Sequence, residues 1–191
     1  LVDAARNKRG GALAAALHAH TQHGNPFART LTTRITRQVC VPLFNMVSKW
    51  LFEGELDDPY GEFFVTKDPS VSDEDLWWKR YQLQPHMVPP FISAELAALI
   101  LRTGKSINFL RICCNDRTWT GASAAAAAAA RGGLAYAHNL GGLEAAVAEV
   151  AAIIDRHLLD VLFRTFRLTD HCLAVKRYLL LGQGDFIQAL L

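Results

Sequence analysis

Residues 25–54 read NPFARTLTTRITRQVCVPLFNMVSKWLFEG, and this stretch decides the fold class. Asn25 can cap free backbone amides, and Pro26 at the first helical position gives up a donor that has no partner there anyway. Phe27, Leu31, Ile35, Val39 and Leu43 recur every four residues, and Met46, Val47, Trp50 and Leu51 prolong that face towards Gly54. The period predicts one long amphipathic helix, kinked at Pro42 by the loss of one hydrogen bond.

Working outward, the chain after Glu53 turns acidic, aromatic and turn-forming through Pro69, with Asp58-Pro59 unable to sustain a helix. A loop is expected there, with room for a short hairpin. Ser72-Asp73-Glu74-Asp75 then resembles a capping box opening a short helix over Leu76 to Tyr81, before prolines 85, 89 and 90. Ser93 can cap a further helix with Leu96, Ile100, Ile107, Leu110 and Cys114 on one side, and Gly104 as an interior weak point. Residues 118–142 hold Ala124 to Ala130 and two glycine pairs, and read as a low-complexity insert or flexible connection. Leu143, Val147, Val150, Ile154, Leu158, Val161 and Thr165 trace another long helix, and Thr169 can cap one running to Leu181. Gly182-Gln183-Gly184 breaks it, and Asp185 can start again at Phe186. The fold class expected is an all-α helical bundle.

Composition sets the outer bounds. The chain has 191 residues, 51% hydrophobic and 20% charged, which suits one globular domain or a piece of a larger molecule. It opens on Leu1 without Met and closes on an apolar run, and is read as a fragment. A formal charge of +2 supplies no strong field for nucleic acid or anionic lipid. Cys40, Cys113, Cys114 and Cys172 have neither zinc nor disulfide spacing, which fits a reducing cytoplasm. No run approaches the roughly 18 apolar residues of a membrane span.

Several motifs invite a chemical reading and fail on their context. Thr103-Gly104-Lys105-Ser106 matches the end of a phosphate-binding loop, yet Leu99 stands where the first glycine is needed and the segment is helical by period. Glu53, Glu55, Asp57, Asp58 and Glu62 supply hard oxygens, but an EF-hand loop from Asp57 would require glycine at Glu62. His18, His20 and His23 can share a helix face only in pairs and read as surface histidines near a helix end. His171 and Cys172, adjacent on a helix, point apart, so Cys172 is expected in the core beside an exposed histidine. Catalytic residues, cofactor sites and metal sites are therefore read as none. Trp50, Trp77, Trp78 and Trp119 are core or interface anchors, and Trp77 and Trp78 cannot both face inward from one helix.

Val41-Pro42-Leu43-Phe44, Trp50 to Leu56, Asp57 to Val65, Trp77 to Tyr81, Pro90-Phe91-Ile92, Gly104 to Leu110 and Arg177 to Ile187, taken in order, resemble the gamma-tubulin complex components with their Grip domains. Gly-Lys-Ser-Ile-Asn-Phe-Leu and Glu-Phe-Phe-Val are more similar to component three than to component two. The resemblance runs from about Ala12 to the end, interrupted by the alanine tract. It implies a non-enzymatic scaffold in which an N-terminal Grip domain packs sideways against sister components, component two in this case, and a C-terminal Grip domain binds gamma-tubulin. The array of gamma-tubulin then nucleates microtubules. Residues 1–168 would be the later part of the first Grip domain, and 169–191 the junction and opening helix of the second. It further implies a place in the cytoskeleton at a microtubule organising centre, with no nucleic acid or membrane partner, no cofactor, and any guanine nucleotide belonging to the tubulins. Glu55, Asp57, Asp58, Tyr60, Trp77 and Trp78 are the candidate interface residues.

Overall fold

The computed structural model describes residues 5–116, 136, 141–180, 182 and 184–190. The chain divides into two compact units, residues 1–154 and 155–191. The 118–142 insert and Trp119 lie outside the described residues, apart from Tyr136, Gly141 and Gly142.

The first unit contains α1 (Gly10–His18), α2 (Pro26–Glu53), β1 (Val65–Lys67), β2 (Tyr81–Leu83), α3 (Ala94–Ile112) and the start of α4 (Gly141–Asp160). The described residues are mostly helical, as the periodicity requires. α1 has no large apolar period and was not expected. It is an alanine-rich helix, and its first turn comes so close to the chain that a Cβ on Gly11 would overlap the carbonyl of Met87. Gly11 also donates to the carbonyl of Glu62 at 3.2 Å.

α2 begins and ends as its sequence dictates. The Asn25 side chain accepts from the amides of Phe27 and Ala28. Gly54 closes the helix in the left-handed region at φ 63°, donating to Trp50 O at 3.2 Å. The helix is continuous through Pro42. Its inward face differs from the expected one in the first half. Thr32, Thr36 and Cys40 are buried there, while Phe27, Leu31 and Ile35 are exposed. Threonine is tolerated inside because each hydroxyl donates to the carbonyl one turn back, Thr32 to Ala28 and Thr36 to Thr32, both at 2.8 Å. From Leu43 onward the expected face holds, with Leu43, Val47, Trp50 and Leu51 buried.

Between α2 and α3 the chain forms a small antiparallel ribbon in the register Val65 to Leu83, Thr66 to Gln82 and Lys67 to Tyr81. The Ser72 capping box does not form. Residues Leu76–Arg80 make one π-helical turn preceded by Asp75, and Tyr81 is already in strand β2. Arg80 holds this connection, donating to Val71 O at 2.6 and 3.2 Å and pairing with Asp73 at 2.6 Å. α3 starts at Ser93, whose hydroxyl accepts from Leu96 N at 3.1 Å, and buries Leu96, Ile100, Ile107 and Leu110. α2 packs on both α1 and α3. The core joins Trp50, Leu43, Leu51, Phe63, Phe64, Leu76 and Ile100 with Val147, Val150 and Ile154 of α4.

The second unit continues from Asp155 through a π-helical turn at Val161–Thr165, α5 (Leu168–Ala174), a second such turn at Val175–Leu179, and α6 (Gly184–Leu190). Thr169 is not the cap of α5. It lies inside the first turn, and Arg167 at φ 49° occupies the flanking position without a side-chain cap. Cys172 is exposed, against the expectation of a core thiol. α5 and the turn after it bury no residue, and Leu173 is exposed with them.

Candidate partner interface

The acidic segment after α2 is an anchored loop rather than a floating one. Asp58 folds it, its two carboxylate oxygens accepting from Glu62 N at 2.8 Å and Phe63 N at 2.9 Å. This turns the chain so that Phe63, Phe64 and Val65 enter the core. The amide of Asn108 donates to Gly54 O at 2.7 Å, and Arg111 donates to Glu53 O, tying both ends of the α2 cap to α3. Asp57 faces outward and pairs with Lys49, which draws the Lys49 ammonium above its ordinary pKa through that hydrogen bond first. Both partners are solvated, so the pair adds little stability.

Asp57, Asp58 and Tyr60 line one groove of about 510 Å³ with Pro42, Met46 and Lys49. Tyr60 is 77% exposed at its edge. Glu55 shares with Asp57 a separate hollow floored by Gly54 and Asn108. Trp77 and Trp78 line neither. Trp77 packs inward, its ring edge to face with Phe109 at 6.1 Å, while Trp78 is 77% exposed. The expectation that the two indoles cannot both face inward is met, with Trp78 the exposed one.

Each polar residue of the Thr103 to Asn108 segment has a place in the helix packing, with one hydroxyl left over. Thr103 donates to Leu99 O at 2.8 Å, Lys105 to Trp77 O at 3.0 Å, and Asn108 to Gly104 O at 2.9 Å. Gly104 lies under the Trp50 indole. Ser106 is buried with no hydrogen-bond partner for its hydroxyl. Burial lowers the pKa of Lys105. The amides that a phosphate loop would present are spent in helix α3. Among the described residues no group of three or more His, Cys, Asp and Glu is placed to hold a metal ion. His18 instead bonds the Tyr136 hydroxyl at 2.8 Å, beside Phe91.

The reading of the sequence missed one feature. Arg29, Thr30, Thr33, Arg34 and Arg37 line a groove along the first half of α2, beside the exposed Phe27, Leu31 and Ile35. The available signal was charge spacing: no acidic residue occurs between Asp3 and Glu53.

The described residues thus absorb the one nucleotide-like motif into packing and present a looped groove and a projecting indole. Comparison with known proteins gives the family. Residues 1–164 match the gamma tubulin complex component N-terminal family. The chain is 53% identical over its whole length to gamma-tubulin complex component 3 of Arabidopsis thaliana, covering 23% of that protein. It is 39% identical to gamma-tubulin complex component 3 of Homo sapiens, again over its whole length and 22% of the relative. Spindle pole body component alp6 of Schizosaccharomyces pombe is 38% identical over 88% of the chain and 21% of that protein. The chain therefore belongs to the gamma-tubulin complex component family. It spans less than a quarter of the length of these relatives.

Proposed function

We propose that this chain is part of a non-enzymatic scaffold subunit of the gamma-tubulin complex, one that associates laterally with a sister component, component two, and so arrays gamma-tubulin for microtubule nucleation. The observation that carries the reading is the 53% identity to a component 3 along the entire chain. The groove at Asp57, Asp58 and Tyr60 and the projecting Trp78 are the contact elements, because exposed tyrosine and tryptophan are residue types enriched at interface hot spots. Residues 1–168 belong to the N-terminal Grip domain and 169–191 open the gamma-tubulin-binding one. The family match ending at residue 164 and the exposed Leu173, Tyr178 and Leu179 support that division. The protein works in the cytoplasm at a microtubule organising centre, without nucleic acid, membrane or cofactor.

Affinity purification of the full-length protein under native conditions tests the proposal. Gamma-tubulin and component two are expected to copurify, and recovery of neither overturns it. The enzymatic alternative rests on Lys105. Binding of ATP or GTP by the intact protein that Lys105→Ala abolishes would replace the scaffold reading.

A further inference from the structure

The first half of α2 turns its larger apolar side chains away from the core. Phe27, Leu31 and Ile35 are spaced four residues apart, so they stack along one helix face. They are 78%, 45% and 37% exposed, while the opposite face buries Thr32, Thr36 and Cys40. A surface helix ordinarily buries its apolar stripe and shows its threonines. The reversal leaves an apolar stripe on the surface.

The charge beside the stripe says what kind of contact. Seven residues make about two helical turns, which sets Arg34 almost directly beyond Phe27, with Arg37 beside it. Arg29, Arg34 and Arg37 line a groove of about 440 Å³ with Thr30 and Thr33. None of these guanidiniums has an ion pair among the described residues. No acidic residue occurs from positions 4 to 52, so α1 offers these arginines no carboxylate, and the one carboxylate of α2, Glu53, stands at the far end of the helix. The positive end of the α2 dipole adds to the same field at Pro26.

We propose that the Phe27 to Arg37 face of α2 is a docking surface for an acidic amphipathic helix. The partner's apolar residues, at three- and four-residue spacing, would cover Phe27, Leu31 and Ile35. Its Asp and Glu side chains along one flank would pair with Arg34 and Arg37. The surface is distinct from the acidic groove at Asp58 and does not depend on the lateral contact proposed above. The arginine fork suits carboxylates bidentately, and the flanking charge fixes the direction in which the partner lies.

The test uses the full-length protein and a fluorescein-labelled synthetic helix of about four turns, with leucines at positions i, i+4 and i+8 and glutamates beside them. A scrambled peptide of the same composition is the control. Saturable binding by anisotropy is expected, reduced at least about tenfold by Leu31→Asp and by the Arg34→Glu, Arg37→Glu double variant, and weakened by salt. A peptide with lysines in place of glutamates should bind the double variant better than the original protein, a rescue that loss of folding cannot mimic. Equal binding of the scrambled peptide, no effect of the variants, or binding only to phosphatidylserine vesicles overturns the proposal.

Discussion

Trp50 and Gly104 fit each other as a ring and a bare backbone: the indole lies where the glycine's side chain would be, and donates from Nε1 to the carbonyl of Ile100 at 2.9 Å. The glycine that made Thr103 to Ser106 look like a phosphate loop is thus a packing residue. Gly104→Ala gains helix propensity but forces its methyl into the ring. We expect a net loss of about 1–3 kcal/mol in urea denaturation, where propensity alone would give a gain.

Two neighbouring aspartates should behave oppositely. Asp58 accepts two backbone amides, and Asp58→Ala leaves them without that charged acceptor, costing about 1.5–3 kcal/mol. Asp57→Ala removes a solvated pair with Lys49 and should leave the denaturation midpoint nearly unchanged. If both aspartates also contact a partner, only Asp57→Ala will report that contact free of a folding defect.

The tryptophan pair separates in the same way. Trp77→Ala loses the ring contact with Phe109 and should lower the melting temperature. Trp78→Ala should shift stability by no more than about 0.5 kcal/mol, as surface substitutions do. Its expected effect is on recovery of the sister component in the native purification, and unchanged recovery would remove Trp78 from the interface.

The cysteines offer a chemical readout of burial. Iodoacetamide at about pH 8 should modify the exposed Cys113 and Cys172 first and Cys40 only on unfolding, as peptide mass spectrometry would show. Burial pushes the Cys40 thiol up to about 11. The native state keeps a proton that the unfolded chain releases near 9. The thiol's stabilising contribution is therefore complete below about pH 9 and is lost as pH rises through about 11. Lys105, whose pKa burial lowers, acts in the other direction. Comparison with Cys40→Ala isolates the thiol, and that variant should show a shallower alkaline loss of stability.

What the sequence disclosed followed from how local each cause is. Asn25-Pro26 and Gly54 bound α2, and Ser93 opens α3, because capping is settled within a few residues. The inward face of the first half of α2 was hidden because a threonine that bonds its own helix can be buried, so the apolar period named the wrong side. A short hairpin had room in the loop after Glu53, but the pairing of Val65–Lys67 with Tyr81–Leu83 was not legible, because each strand is three residues long and Thr66 lies 16 residues from Gln82. α1 escaped because its fit depends on Gly11 meeting Met87, a contact made in space rather than in sequence. At the candidate interface, composition located the acidic loop. Only the coordinates divide it into Asp58, which folds it, and Asp57, Glu55 and Tyr60, which face solvent.

The seam of Thr32, Thr36 and Cys40 has a consequence for how α2 moves. Short side chains remove less apolar surface from water than Leu43, Val47, Trp50 and Leu51 do one half-helix later. A single 28-residue helix therefore carries two levels of local stability. In native-state hydrogen exchange, amides before Cys40 should exchange through partial opening that fraying from Pro26 can reach. Those after Leu43 should exchange only with global unfolding. The end of the helix that presents the arginines is the end able to adjust its shape to whatever it meets.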